Sequence, residues 1–191
     1  MKKLICTVLA FCLLACALVS CGSAPAFEGT VEEILDSIVT KAIELDTEPE
    51  FGIASIECTP TVVDAEGCES ILGLSEEDFN QYVEAAIESK PNGSWYTHSI
   101  VVIKLKDGVD VPAVAEKIVM NTKPNRFGCL KPRSIVGAYA GQYVIFSASS
   151  ETSTEAVYNA VVALSAVEPT RINRENDWSS SGGLMGGGLL G

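Results

Sequence analysis

Few residues in this chain of 191 have chemistry to offer: seven cysteines, one histidine and a surplus of carboxylates. Cys129 stands near Arg126 and Lys131, and neighbouring cations lower a thiol's pKa. With His98 as general base it would form a cysteine–histidine pair. His98 shares a strand face with Lys104 and Lys106, however, which reads as a solvent-side histidine. Cys58 and Cys68 can form a disulfide closing a loop of about 11 residues, worth about 2.8 kcal/mol in the chain-entropy picture. The alternative is that Cys58, Cys68 and Cys129 are small buried side chains. With a single histidine and no C-x-x-C, no zinc site is expected. Asp64, Glu66 and Glu69 surround Gly67 without the EF-hand spacing, so they read as a solvated acidic loop and no metal is expected. Trp95 and Tyr96 follow a turn and are either exposed ligand anchors or packed on a sheet. H-E-x-x-H, G-x-S-x-G, S-x-x-K and the P-loop are all missing. Gly186, Gly188 and Gly191 formally spell G-x-G-x-x-G, but with no strand before them and no helix after they hold no phosphate. No catalytic residue and no cofactor is therefore expected.

Cys21 has a different kind of chemistry. Lys2 and Lys3 head an apolar run from Leu4 to Val19. That run is short of the roughly 20 residues a membrane-spanning helix needs and has the layout of a signal peptide. It ends in Leu18-Val19-Ser20-Cys21, which resembles the lipobox of bacterial lipoproteins. The resemblance implies cleavage after residue 20 and a diacylglycerol thioether on Cys21, placing the mature chain on the extracytoplasmic face of the cell membrane. Two acyl chains anchor where one only lingers. Cys6, Cys12 and Cys16 fall in the discarded segment. Residues 21–27 read as a lipidated tether of small residues.

The formal charge is −12, and loss of Lys2 and Lys3 would make it −14. Such a balance disfavours nucleic acid and anionic lipid surfaces as partners and favours cations. The mature length suits one domain with its own core.

The elements that must position these residues are legible in part. Thr30-Val31-Glu32-Glu33 is a capping box, and Val31, Ile34, Leu35, Ile38, Val39, Ala42 and Ile43 make one face of a helix over about 31–45. Phe51–Cys58 and Thr59–Val63 are strand candidates. Ser75 caps a helix onto which Leu74 can staple Phe79. Residues 79–89 carry helical spacing, yet a hairpin pairing 82–89 with 96–106 is also possible. In the strand 97–106, Val101, Ile103 and Leu105 oppose Ile100, Val102 and Lys104. Asp110 caps a helix over 111–121, and 134–140 with 142–148 form a hairpin at Gly141. Thr152-Ser153-Thr154-Glu155 is a second capping box, opening a helix over 153–166. Residues 170–191, rich in Ser and Gly, read as a disordered tail.

Several stretches together resemble an uncharacterised lipoprotein family of Gram-positive bacteria, described only by a domain of unknown function. They are the lipobox, Thr30-Val31-Glu32-Glu33, Leu74-Ser75-Glu76-Glu77-Asp78-Phe79 with Tyr82-Val83, His98 to Lys104, Arg126-Phe127-Gly128-Cys129, and Gly141-Gln142-Tyr143-Val144. The resemblance covers about 28–168, favours the strand for 82–89, and implies fold and location without an activity. The chain is thus expected to be a single α+β domain over 28–169, a two-layer sandwich with an antiparallel sheet and helices packed on one face. Its expected role is a non-enzymatic binding or accessory module of the cell envelope, held by diacylglycerol on Cys21, with an envelope protein or glycan as partner. The competing readings are an envelope enzyme using a cysteine thiol and a small-ligand or ion-binding accessory lipoprotein.

Overall fold

The computed structural model describes residues 25–48, 50–93, 96–127 and 130–175. Thr30 caps helix α1 (Val31–Leu45) with the reciprocal bond from Glu33 that the capping box requires. A 3₁₀ turn at Ile53–Ser55 replaces the first strand expected from the sequence, and β1 runs Cys58–Val62. The short helix α2 (Cys68–Ile71) leads to α3 (Glu76–Tyr82), which Ser75 caps through the Asp78 amide. From Val83 the backbone turns directly into β2 (Val83–Pro91), so residues 79–89 are both: one helical turn, then a strand.

β3 (Ser99–Leu105) follows, then α4 (Val111–Asn121), capped by Asp110 with a proline in its first turn. β4 (Ser134–Ala140) and β5 (Tyr143–Ser149) form the hairpin. Their two-residue turn has a positive φ of 55° at Gly141 alone, the pattern of a type II′ turn. Helix α5 (Glu151–Leu164) begins two residues before the expected start. Ser150, not Thr152, accepts the capping bond, from the Ser153 amide. Glu155 is held instead by Arg171 in a two-pronged ion pair at 2.9 and 2.7 Å.

With β6 (Thr170–Arg174), all strand pairs are antiparallel in the order β1-β2-β3-β5-β4-β6, which gives the expected α+β sandwich. The helices, however, cover both faces rather than one. α1 and α5 pack on Ile87, Ile100, Val102 and Ile145. α4 and the segment 63–79 pack on Val101, Ile103, Val144 and Phe146. Alternation along the central strands is apolar on both sides, so neither face can be left to water. The approach of α4 is close: a Cβ on Gly137 would sit 2.3 Å from the Cγ2 of Val119.

The expected disordered tail is also corrected at its start. Residues Thr170–Arg174 form the edge strand β6 beside β4. Ile172 packs on the second core, and Arg174 donates to the Val119 and Thr122 carbonyls at the end of α4. The rest of that segment, from residue 176, lies outside the described residues, as do the signal segment and Cys21.

The other edge is blunted. Val63 donates to the Ala86 carbonyl and Glu57 accepts from the Asn92 amide, so the odd-numbered residues of this stretch bond inward. Cys58, Pro60 and Val62 therefore turn their backbone outward. Proline has no N–H to offer there, which discourages strand addition.

Candidate functional site

Strand alternation places two polar clusters back to back on β2 and the start of β3. Glu88 and Ser99 face α4; Ser89 and His98 face α1. This follows from the register, in which Glu88 opposes Val101 of the α4-side core and Ser89 opposes Ile100 of the α1-side core.

On the α4 side the cluster is closed. Glu88 is 1% exposed, and the Arg126 side chain that pairs with it is 8% exposed. Arg126 Nη1 donates to Glu88 Oε1, and its Nη2 donates to Ser99 Oγ at 2.7 Å. Ser99 in turn donates to Glu88 Oε1 at 2.7 Å. The 3₁₀ turn Pro124–Phe127 delivers Arg126, whose guanidinium lies 4.4 Å from the Phe127 ring centroid. A hollow of about 460 Å³ borders this pair, but Glu88 and Arg126 meet it already bonded to each other.

On the α1 side the cluster is open. A groove of about 350 Å³ runs between α1 and the β1 edge. Its walls are aliphatic: Leu35, Val39 and Ile43 from α1, and Ile53 and Ile56 from the 3₁₀ turn. Its floor is Cys58, Ser89 and His98. Glu32 and Asp36, one turn apart on the same flank of α1, line it as well. From Glu32 to Ile43 the helix advances about 16 Å, so the groove is elongated.

His98 is the most constrained floor residue. It is 1% exposed, and its Nδ1 lies 3.2 Å from Ser149 Oγ. Its Nε2 has no protein partner among the described residues. Burial pushes its pKa down to about 4, with the charge of Asp46 offsetting part of the shift. His98 is therefore buried rather than solvent-side, because α1 covers the sheet face expected to be open. Burial likewise raises the Cys58 thiol above its ordinary value, and a hydrogen bond with Ser89 offsets part of this. The pair thus offers a neutral thiol and a neutral imidazole. Asp46 acts from outside the lining: its carboxylate accepts from the Ile53 amide at 2.8 Å and from Ser153 Oγ at 2.9 Å.

The other residues singled out from the sequence are dispersed. Cys58 and Cys68 are free thiols, not a disulfide. The sheet stands between them, since Cys58 lines the α1-side groove and Cys68 is buried in the α4-side core. There the Cys68 thiol meets the Ala65 and Leu74 carbonyls at 3.0 and 3.3 Å. Cys129 and Trp95 lie outside the described residues. Arg126, expected beside the Cys129 thiol, is engaged by Glu88. Tyr96 packs its ring 6.1 Å from that of Phe51, both partly exposed. Asp64 accepts from the Gly67 amide and Glu69 pairs with Lys123, so these carboxylates serve the loop itself. Among the described residues no cluster of three or more His, Cys, Asp or Glu side chains could hold a metal ion. No helix among them is long and apolar enough to cross a membrane.

Sequence reasoning missed the Glu88–Arg126–Ser99 cluster and the role of Asp46. A signal for the first exists: Glu88 follows Ala86 and Ile87 deep in a strand, and its alternation partner Ala86 is apolar. No family model, no curated protein and no solved structure matches the chain.

Proposed function

We propose that this chain is an exported lipoprotein, of the kind its lipobox and its other motifs resemble, whose domain is a non-enzymatic binding module with the α1 groove as its site. The observation that carries the binding reading is the groove floor. A buried imidazole with a free Nε2, a thiol and a hydroxyl lie beneath aliphatic walls, and this is the usual make-up of a small-molecule pocket. The electrostatics favour binding over thiol catalysis. Burial raises the Cys58 thiol and lowers the His98 imidazole. Both shifts oppose the thiolate–imidazolium pair that an activated cysteine needs.

The anchor reading gains support from where the tether docks. The Ala26 carbonyl accepts from the Ala166 amide at 2.8 Å, and the Phe27 ring meets Tyr143 edge-on at 5.4 Å. Both contacts lie at the β4–β5 turn end of the sheet. Cys58, Ser89 and His98 lie at the opposite end, about 20 Å away along the strands. A domain hung from Cys21 keeps its groove floor turned from the bilayer.

Replacing Cys21 by Ala is expected to abolish metabolic lipid labelling and leave the precursor unprocessed; unchanged labelling would refute the anchor. For the site, photocrosslinking from position 54 at the groove wall, in native membranes, is expected to capture a ligand that excess crosslinker-free protein competes away. Capture that persists when Ala54→Trp blocks the groove, with the crosslinker moved to position 32, would place the ligand elsewhere.

A further inference from the structure

The groove also restricts what it can hold. Among the described residues its lining contains two carboxylates and no lysine or arginine. Glu32 and Asp36 are exposed on α1, so they are solvated at the mouth and need no partner to be stable there. A group with positive charge gains from both; an anion is repelled by both, and by a chain of net charge −12. Between the carboxylates and the floor the walls are aliphatic, with Leu35, Val39 and Ile43 succeeding one another along α1. At the far end stand Cys58, Ser89 and His98. They are uncharged near neutral pH, and the His98 Nε2 still lacks a partner.

These features run in one order along the groove: charged, apolar, neutral polar. We propose that the groove binds an elongated aliphatic amine carrying an uncharged polar group at its other end, of the amino alcohol or amino amide class. The ammonium sits between Glu32 and Asp36. The methylenes lie along Val39 and Ile43. The uncharged end meets His98 Nε2 through a hydrogen bond. A cation at the His98 end would leave water to meet Asp46 alone, whose oxygens already accept from Ile53 and Ser153, whereas the mouth offers two solvated carboxylates. The mouth is therefore the favoured seat of the charge. This inference rests on the reading of the groove as a ligand site, and the test separates the two.

The probes are 8-aminooctan-1-ol, octane-1,8-diol and 8-hydroxyoctanoate, matched in length and differing in charge. Each is titrated by calorimetry into the intact protein held in nanodiscs of zwitterionic lipid. The amino alcohol is expected to bind about ten-fold more tightly than the diol, and the carboxylate most weakly. The advantage is expected to shrink as salt rises. Glu32→Gln with Asp36→Asn, both at exposed positions, is expected to bring the amine-to-diol ratio to about one. Ala54→Trp, also at an exposed position, is expected to remove all binding. Equal binding of amine and diol by the unaltered protein overturns the ligand class and leaves the groove reading intact. Binding of none of the three, or equal binding by folded Ala54→Trp, overturns the groove reading itself.

Discussion

The two polar clusters on β2 and β3 are separated by the thickness of one sheet, and they solve burial in opposite ways. On the α4 side, Glu88 brings a full charge into the core and is answered by Arg126 and Ser99. On the α1 side, His98 is buried to the same degree but sheds its charge, and one of its ring nitrogens faces the groove unanswered. A buried ion pair with its bonds made is a structural element; its desolvation cost is offset only while both partners stay. A neutral, half-satisfied group under an opening is available to a ligand. The same two strands thus carry a joint and a socket, and alternation decides which residue belongs to which.

The comparison breaks most sharply at Arg126. Arg126→Met leaves Glu88 buried without a counter-charge and is expected to cost about 3–5 kcal/mol in urea unfolding. Adding Glu88→Leu is expected to restore much of that loss. A double variant no more stable than the single would mean that Arg126 serves packing, not charge.

The next effect belongs to His98. Its folded pKa of about 4 lies below the unfolded value of 6.5. Between those pH values the unfolded chain binds the proton and the folded chain does not, so stability falls as pH drops through that window. The loss by pH 4 is expected to reach about 3 kcal/mol. Carboxylates add to the fall at the acid end, because Lys123, Lys117 and Arg171 hold Glu69, Asp78 and Glu155 below their usual range. The measurement is therefore the difference between the unaltered protein and His98→Asn across pH 4–7. Parallel curves would mean that His98 is hydrated in the folded state.

Cys58 gives the smallest effect. Its alkylation rate is expected to keep rising beyond the pH at which a free thiol levels off, since burial holds the thiol above its ordinary value. Cys58→Ser should change stability little. A plateau near pH 7 would mark an activated thiolate and revive the thiol-enzyme reading.

Much of this was legible in the chain. The Thr30, Ser75 and Asp110 caps, the face of α1 and the β4–β5 hairpin follow from local spacing, because caps and turns are set within four residues. The groove was not. It depends on α1 lying over the sheet face that the pattern of Lys104 and Lys106 marks as solvent-side. Lys104 sits at the sheet margin, paired with Glu84 at 2.8 Å, while His98 on the same face lies beneath a helix. Strand alternation gives the face of a residue but not what covers it. Similarly, Glu88 and Arg126 meet across 38 residues, a distance no local pattern spans. Thr170–Arg174 looked like the start of the tail because its strand character comes from Arg171 and Arg174 finding partners on α5 and α4.

The most direct test of the joint-and-socket account uses the chain's only histidine, which gives one imidazole to observe. Nitrogen-15 NMR spectra are recorded at pH 7 with and without 8-aminooctan-1-ol. The account predicts a neutral ring whose Nε2 resonance moves on addition while Nδ1, already near Ser149, and the Arg126 guanidinium stay in place. A stationary Nε2 together with a moving Arg126 signal would put the socket on the wrong side of the sheet.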